Sequence, residues 1–354
     1  MPKRGCRSLV ASEEGDWRRV LSVQPEHPDA DMLAAPEDGQ LLVDVISAGL
    51  AFPDVLTVEG KHIMSKAPPF VPANEVCGRV TAVGPECEES GFAVGDLVCG
   101  VAVTGSMAER AIMLAEQTYR VPAGVDPNVA AGLEVNYGTT WHGLVDLAQI
   151  QSGETLLVLG ASGGVGMAAI DIGKARGARV VACASTAAKL AACKAAGADV
   201  LVNYASDGGG DFKAALKEHG VYGEVDVVYD PVGGKFSEVS FRAMGWGGRF
   251  LVVGFASGGA TPKDAIPRLP LNLALLNERQ VMGVFWGSWK ARDGNEVNRR
   301  SMETMFGMIA SGKLKPVVSK VYPLLDYAKA FDDMMSRRVV GKVCIEMGAG
   351  GSRL

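Results

Sequence analysis

Over roughly the first 130 residues, short alternating apolar and polar runs are broken by Gly and Pro. LLVDVISAG (Leu41–Gly49) and VCGRVTAVG (Val76–Gly84) are examples. Period-two alternation bounded by turn residues predicts short strands in a compact β-rich domain. From Gly153 the texture changes. TLLVLG (Thr155–Gly160) runs into an Ala-rich helical stretch ending near Gly177, and ARVVACA leads into AAKLAACKAA, which stops at Gly197. DVLVNY, EVDVVYD and GRFLVVGF follow, with helical stretches between them. This βαβ rhythm predicts a parallel sheet with helices on both faces. Past Pro270 come VMGVFWG, a helix near Val297–Ser311, a strand at PVVSKVYP and a helix–strand pair ending at Ile345. The last strand lies beyond those a dinucleotide fold needs, so it is expected to return to the first domain.

Composition narrows the class. A chain of 354 residues with 48% hydrophobic and 21% charged residues suits two packed domains. The net charge of -5 leaves no basic stripe for phosphates, which argues against nucleic acid as a partner. No apolar run reaches the ~18 residues of a membrane span. Seven cysteines, an odd number without C-x-x-C spacing, are expected as free thiols in a reducing compartment. Lys3, Arg4 and Arg7 are followed at once by Glu13, Glu14 and Asp16, a poor match to a transit peptide.

The strongest local signal is GASGGVG (Gly160–Gly166), set between a predicted strand and helix. Backbone N–H groups at such a helix start can bind a diphosphate, and glycine lets a ligand approach the backbone. The generic fingerprint is imperfect, because its register would put glycine at Ala161. An NAD site usually offers an acid about 20 residues on for the ribose 2′-hydroxyl. Here no acid stands between Val180 and Ala198; Ser185, Thr186 and Lys189 follow the strand instead, donors suited to a 2′-phosphate. For Lys189 alone the plainer alternative is a solvated helix residue. NADPH is favoured over NADH.

Tyr137–Gly177, with GTTWHGL, GETLLVLGASGGVG and GKARGA, resembles the zeta-crystallin-like quinone oxidoreductase branch of the zinc-independent medium-chain dehydrogenase/reductases. VLVNY, VDVVYDPVGG, GRFLVVGFASG, VMGVFWG, AGLAFPD and PFVPANEVCGRVTAVG extend the resemblance from about Leu41 to Glu346. It implies a GroES-like β-rich substrate domain plus a Rossmann domain with a doubly wound parallel sheet, and an active cleft between them. The expected bounds are 1–134 for the GroES-like part, 135–284 for the NADPH-binding domain, 285–346 for the return and 347–354 for a flexible tail. The resemblance places the diphosphate on Ser162, Gly163, Gly164, Val165 and Gly166, and the 2′-phosphate on Ser185, Thr186 and Lys189. It sets Tyr204 against the adenosine, Thr139 near the nicotinamide, and Gly254, Phe255, Phe285 and Trp286 in loops passing it. Core packing is the alternative for the three aromatic residues. Arg338 and Lys342 are basic residues of the closing segment, read as near the cofactor.

One departure is important. Relatives usually have asparagine in the segment that here reads Gly49–Asp54, and the Ala51 side chain offers no hydrogen bond in its place. His62, where relatives often have tyrosine, is the candidate donor to a substrate carbonyl; a satisfied or surface histidine is its alternative. Zinc-dependent relatives carry cysteine in the early loop, histidine before the following glutamate and a four-cysteine cluster. This chain has Ala51, Asn74 before Glu75 and no cluster, so no metal is expected. The implied reaction is NADPH-dependent reduction of quinones or other α,β-unsaturated carbonyl compounds. The alternatives are an enoyl-thioester or 2-alkenal reductase, or an NADPH-binding protein with little turnover. The resemblance also implies a homodimer joined along VMGVFW. Ser352-Arg353-Leu354 is close to the S-K-L peroxisomal address, which implies an import receptor as partner, with the cytoplasm as alternative.

Overall fold

The computed structural model describes residues 5–62, 66–85, 87, 90–257 and 266–348; the terminal tripeptide lies outside them. Two units divide the chain. The first comprises Met1–Val135, Asn295–Ala310 and Val317–Leu354, and the second Asn136–Gly294 and Ser311–Pro316.

In the first unit, β1 (Ser8–Ala11) pairs antiparallel with β2 (Leu21–Gln24). The main sheet is built on β3 (Gln40–Leu50), β4 (Glu75–Val83), β5 (Leu97–Ala102) and β6 (Arg110–Arg120). β3 is long enough to serve two neighbours on one side: Gln40–Asp44 pair with β6, which closes the sheet on itself. Closure removes edges that would otherwise recruit foreign strands. Leu41, Val43, Val76, Val98 and Ile112 fill the interior.

The second unit is a six-stranded, wholly parallel sheet. Its strands are β7 (Thr155–Val158), β8 (Arg179–Ala184), β9 (Val200–Asn203), β10 (Val225–Asp230), β11 (Met244–Val252) and β12 (Gln280–Gly283). Their order is β12-β11-β10-β7-β8-β9, so the chain reverses direction between β7 and β10. Ligands of doubly wound sheets bind beyond the carboxyl ends of the strands at such a switch point. Helices Gly164–Ala175 and Ala187–Ala195 follow β7 and β8. Each is followed within two residues by a glycine at positive φ, Gly177 (+82°) and Gly197 (+104°), where a side chain would be strained.

The chain then returns through helix Asn295–Ala310, β13 (Val318–Pro323) and β14 (Lys342–Glu346). β14 pairs antiparallel with the Ser47–Leu50 half of β3, as expected for the last strand. The second unit, however, extends to Gly294 rather than ending at 284. Burial explains this: Trp289 stacks on His142 at 3.9 Å, and Trp286 packs against Gly138. Ser311–Pro316 belongs to the same unit, where Lys315 N–H donates to Asp171 at 2.7 Å. Met347, expected to open a flexible tail, is instead buried and its N–H donates to Ile46 O at 3.2 Å.

Candidate functional site

β7 ends in a turn that Gly160 enters at φ +56°, and Gly163 caps the helix Gly164–Ala175. The N–H groups of Gly164, Val165 and Gly166 have no acceptor within the helix, because they open its first turn. They form an anion site at the sheet's switch point. Ser162, one residue earlier, is buried. Ala161 explains the imperfect fingerprint. Its side chain is fully buried and its N–H donates to Cys183 O at 3.0 Å, so this position serves the sheet and tolerates a methyl group.

The glycines answer partly to packing rather than to a ligand. A Cβ at Gly166 would stand 2.5 Å from Gly160 O, and one at Gly164 would stand 2.5 Å from Asn136 Nδ2. A Cβ at Gly163 would meet only Gly160 O, at an ordinary 3.4 Å. Of the three, Gly163 keeps the open face that a bound dinucleotide requires.

At the neighbouring strand ends, Ser185 follows β8 and Tyr204 follows β9. Tyr204 N–H donates to Ala184 O at 3.2 Å, and its ring packs on Phe236 with centroids 4.7 Å apart. Thr186 has a second task that the sequence reading missed. It is the N-cap of Ala187–Ala195, its hydroxyl accepting the Lys189 N–H at 3.3 Å. The hydroxyl oxygen is thus engaged by the helix, while its hydrogen can still be donated. Lys189 is half-buried on the first turn of that helix.

On the other side of the switch point, Asp230 shapes the turn after β10. Its carboxylate accepts Val232 N–H, Gly233 N–H and Ser237 Oγ–H at 2.8, 2.8 and 2.6 Å. Burial pushes this carboxyl up from its usual range, opposed by those three donors. The Asp230 carbonyl accepts the N–H groups of Val253 and Gly254, which fixes the loop carrying Phe255. Phe255 and Phe285 remain 41% and 55% exposed, large apolar surfaces beyond the strand ends. Trp286 does not share that exposure. It is buried against Gly138 with Lys290 Nζ 5.5 Å above its ring, and packing is its role.

Residues 134–147 are helical, with π-helical turns at Glu134–Gly138 and His142–Leu147 on either side of Thr139–Trp141. Such turns are frequent at functional sites. Thr139 is half-buried. Thr140 is wholly buried; it donates to Asn136 O at 2.7 Å and bonds Tyr229 OH at 2.9 Å.

The first unit holds the remaining candidates. Lys342 is not offered to a ligand: its stem passes against Gly49 and Gly132, and its ammonium pairs with buried Glu75. Glu75 also accepts Val135 N–H at 2.8 Å. Asp54 accepts the Ala51 N–H at 2.7 Å. Part of Asp54 is exposed, but burial of its carboxyl pushes it up to about 7, against the pull of Lys342 and the Ala51 N–H. Arg338 is likewise engaged, pairing with Asp333 at 2.7 Å beside Lys320 and Tyr322. His62 is half-buried, its N–H donating to Leu56 O at 3.2 Å.

Zinc does not fit here. Asn74 and Ala51 stand where ligands would be needed, the Glu75 carboxylate is taken by Lys342 and Val135, and among the described residues no three His, Cys, Asp or Glu converge on a cation position. Nor is any helix among them long and apolar enough to cross a membrane.

A doubly wound sheet with a glycine-rich anion turn at its switch point, joined in one chain to a closed β-rich unit, defines a dinucleotide-dependent oxidoreductase architecture. Residues 37–123 match the alcohol dehydrogenase GroES-like domain, and residues 164–304 match the zinc-binding dehydrogenase family. Mouse (Mus musculus) quinone oxidoreductase-like protein 2 is 32% identical over 346 residues, 97% of this chain and 95% of its own length. Bovine (Bos taurus) prostaglandin reductase-3 is 29% identical over 359 residues, 98% of this chain and 90% of its own. A mycobacterial protein solved in complex with NADPH superposes with a TM-score of 0.83 at 29% identity, covering 96% of this chain and 99% of that one. The chain belongs to the quinone oxidoreductase-like branch of the medium-chain dehydrogenase/reductase superfamily.

Proposed function

We propose that this protein reduces quinones or other α,β-unsaturated carbonyl compounds with NADPH. The observation that carries the cofactor choice is the end of β8. No acid follows it up to Ala198, and Ser185, Thr186 and Lys189 stand there instead. The first-turn amides of Gly164, Val165 and Gly166 hold the diphosphate, and Tyr204, backed by Phe236, takes the adenine.

The nicotinamide supplies a hydride when bound. The chain's own part is to orient that ring with Thr139, Gly254, Phe255 and Phe285 and to keep water away through their apolar surface. His62 is the side chain offered to the acceptor oxygen; a conjugated acceptor delocalises the incoming charge and needs no metal. The likeness to relatives named as quinone oxidoreductase-like and prostaglandin reductase supports acceptors of this class.

Purified protein mixed with NADPH and a panel of quinones, enones and enoyl thioesters should oxidise the cofactor with at least one group and leave simple alcohols untouched with NADP⁺. Ready oxidation of alcohols with no turnover of any conjugated acceptor would overturn the reading. We also propose a second copy of this chain as partner at the free edge of β12. Val281 there and nearby Leu271 and Leu275 are exposed, the two leucines at 85% and 79%, an apolar surface that a homodimer would cover. Sedimentation of the purified protein as a monomer at micromolar concentration would remove this partner.

A further inference from the structure

Asn136 lies where the sequence signals no function, 24 positions before the Gly160 turn (160 − 136). It retains 8% of its exposure, and among the described residues its carboxamide has no hydrogen-bond partner. The residue is largely enclosed, yet its carboxamide atoms are not sealed off, so the unpaired amide remains open to a ligand. The carboxamide lies against Cα of Gly164, the first residue of the twelve-residue helix whose opening N–H groups face the switch point. A Cβ at Gly164 would stand 2.5 Å from its Nδ2 and 2.7 Å from its Oδ1. The missing side chain at Gly164 is therefore what admits the amide to the head of the helix.

The backbone that carries the amide is fixed. The Asn136 main-chain carbonyl accepts the Thr140 hydroxyl at 2.7 Å, and that hydroxyl reaches Val165 O at 3.3 Å and Tyr229 OH at 2.9 Å. Asn136, the first turn of the helix and β10 are thereby tied by one buried network within the second unit. A side-chain donor carried on this fixed backbone and lying against Gly164, beside the first-turn N–H groups, is suited to an anion shared among them.

We infer that Asn136 is a dinucleotide-binding residue whose carboxamide N–H donates to the diphosphate at the head of helix Gly164–Ala175. This rests on the NADPH reading and adds a contact to it. The contact is common to NADPH and NADH, unlike that of Lys189. It is absent from 2′-AMP, which carries adenosine and a 2′-phosphate but no diphosphate.

Titrations of the purified full chain with NADPH, NADH and 2′-AMP test the assignment, using Asn136→Ala and the isosteric Asn136→Asp. Loss of one hydrogen bond to a charged oxygen should weaken both dinucleotides roughly ten- to a hundredfold in the alanine variant. The aspartate variant should bind them more weakly still, because it sets a like charge beside the diphosphate. The affinity for 2′-AMP should stay at the wild-type value in both variants. Wild-type affinity of both variants for NADPH would overturn the assignment while leaving the NADPH reading intact. An equal loss for 2′-AMP would reduce Asn136 to a structural residue. A wild-type protein that binds neither dinucleotide would overturn both readings.

Discussion

Lys342 and Glu75 stand 267 positions apart in the chain and form an ion pair whose side chains are only 4% and 3% exposed. The Lys342 stem reaches Glu75 only because residues 49 and 132 are glycine. A Cβ at Gly49 would stand 2.7 Å from Lys342 Cε, and one at Gly132 would stand 2.6 Å from Cγ. Removing either charge leaves the other buried without compensation, a loss of about 3–5 kcal/mol. Lys342→Met and Glu75→Gln should each lower the thermal midpoint by several degrees, and a double replacement with apolar residues should recover part of that. Single variants within about 1 kcal/mol of wild type would contradict the burial argument.

Asp54 gives the first unit a pH dependence of definite sign. Burial raises its carboxyl from 3.8 to about 7, so between those values the folded chain holds a proton that the unfolded chain has released. The stabilisation is fully present below pH 3.8 and is lost as pH rises through about 7. Asp54→Asn should flatten the fall in stability over that window and raise stability above pH 7 relative to wild type. Parallel stability curves for the two proteins between pH 5 and 8 would show that Asp54 does not titrate as described.

Lys189 should discriminate between cofactors. A single charge-assisted contact to the 2′-phosphate contributes about 1.5–3 kcal/mol, so Lys189→Ala should weaken NADPH binding roughly ten- to a hundredfold. NADH, which lacks that phosphate, should bind as before. Equal losses for both would assign Lys189 to the helix whose first turn it occupies rather than to the ligand.

The thiols should be inert in the folded protein. All seven cysteines are buried and free. Burial pushes Cys77 and Cys344 up to about 12 and Cys193 up to about 11, far from the thiolate form that reacts. Iodoacetamide at neutral pH should leave mass and activity unchanged, while denatured protein takes up seven labels. Rapid labelling of one native cysteine would point to an opening motion that exposes it.

The phosphate turn was readable in advance because its geometry is local. A strand, a tight turn and a helix start are made by consecutive residues, so Gly160–Gly166 announced the anion site without knowledge of the rest of the chain. The missing acid after β8 and the return of the last strand were legible for a similar reason, since period and spacing carry both. Trp286, Arg338 and Lys342 were not legible in this way. Aromatic and basic residues near a cofactor segment look alike whether they face a ligand or a partner inside the protein.

Only the tertiary structure turned Trp286 onto Gly138, gave Arg338 to Asp333 and threaded Lys342 past two glycines to Glu75. Asn136 was invisible for the complementary reason. Nothing in its neighbours marks it, and its amide acquires meaning through a glycine 28 positions away (164 − 136). Backbone conformation and periodicity are properties of short segments, which the sequence by itself determined. Burial and pairing depend on which distant segments the topology brings within a few ångströms, and that was decided by the fold.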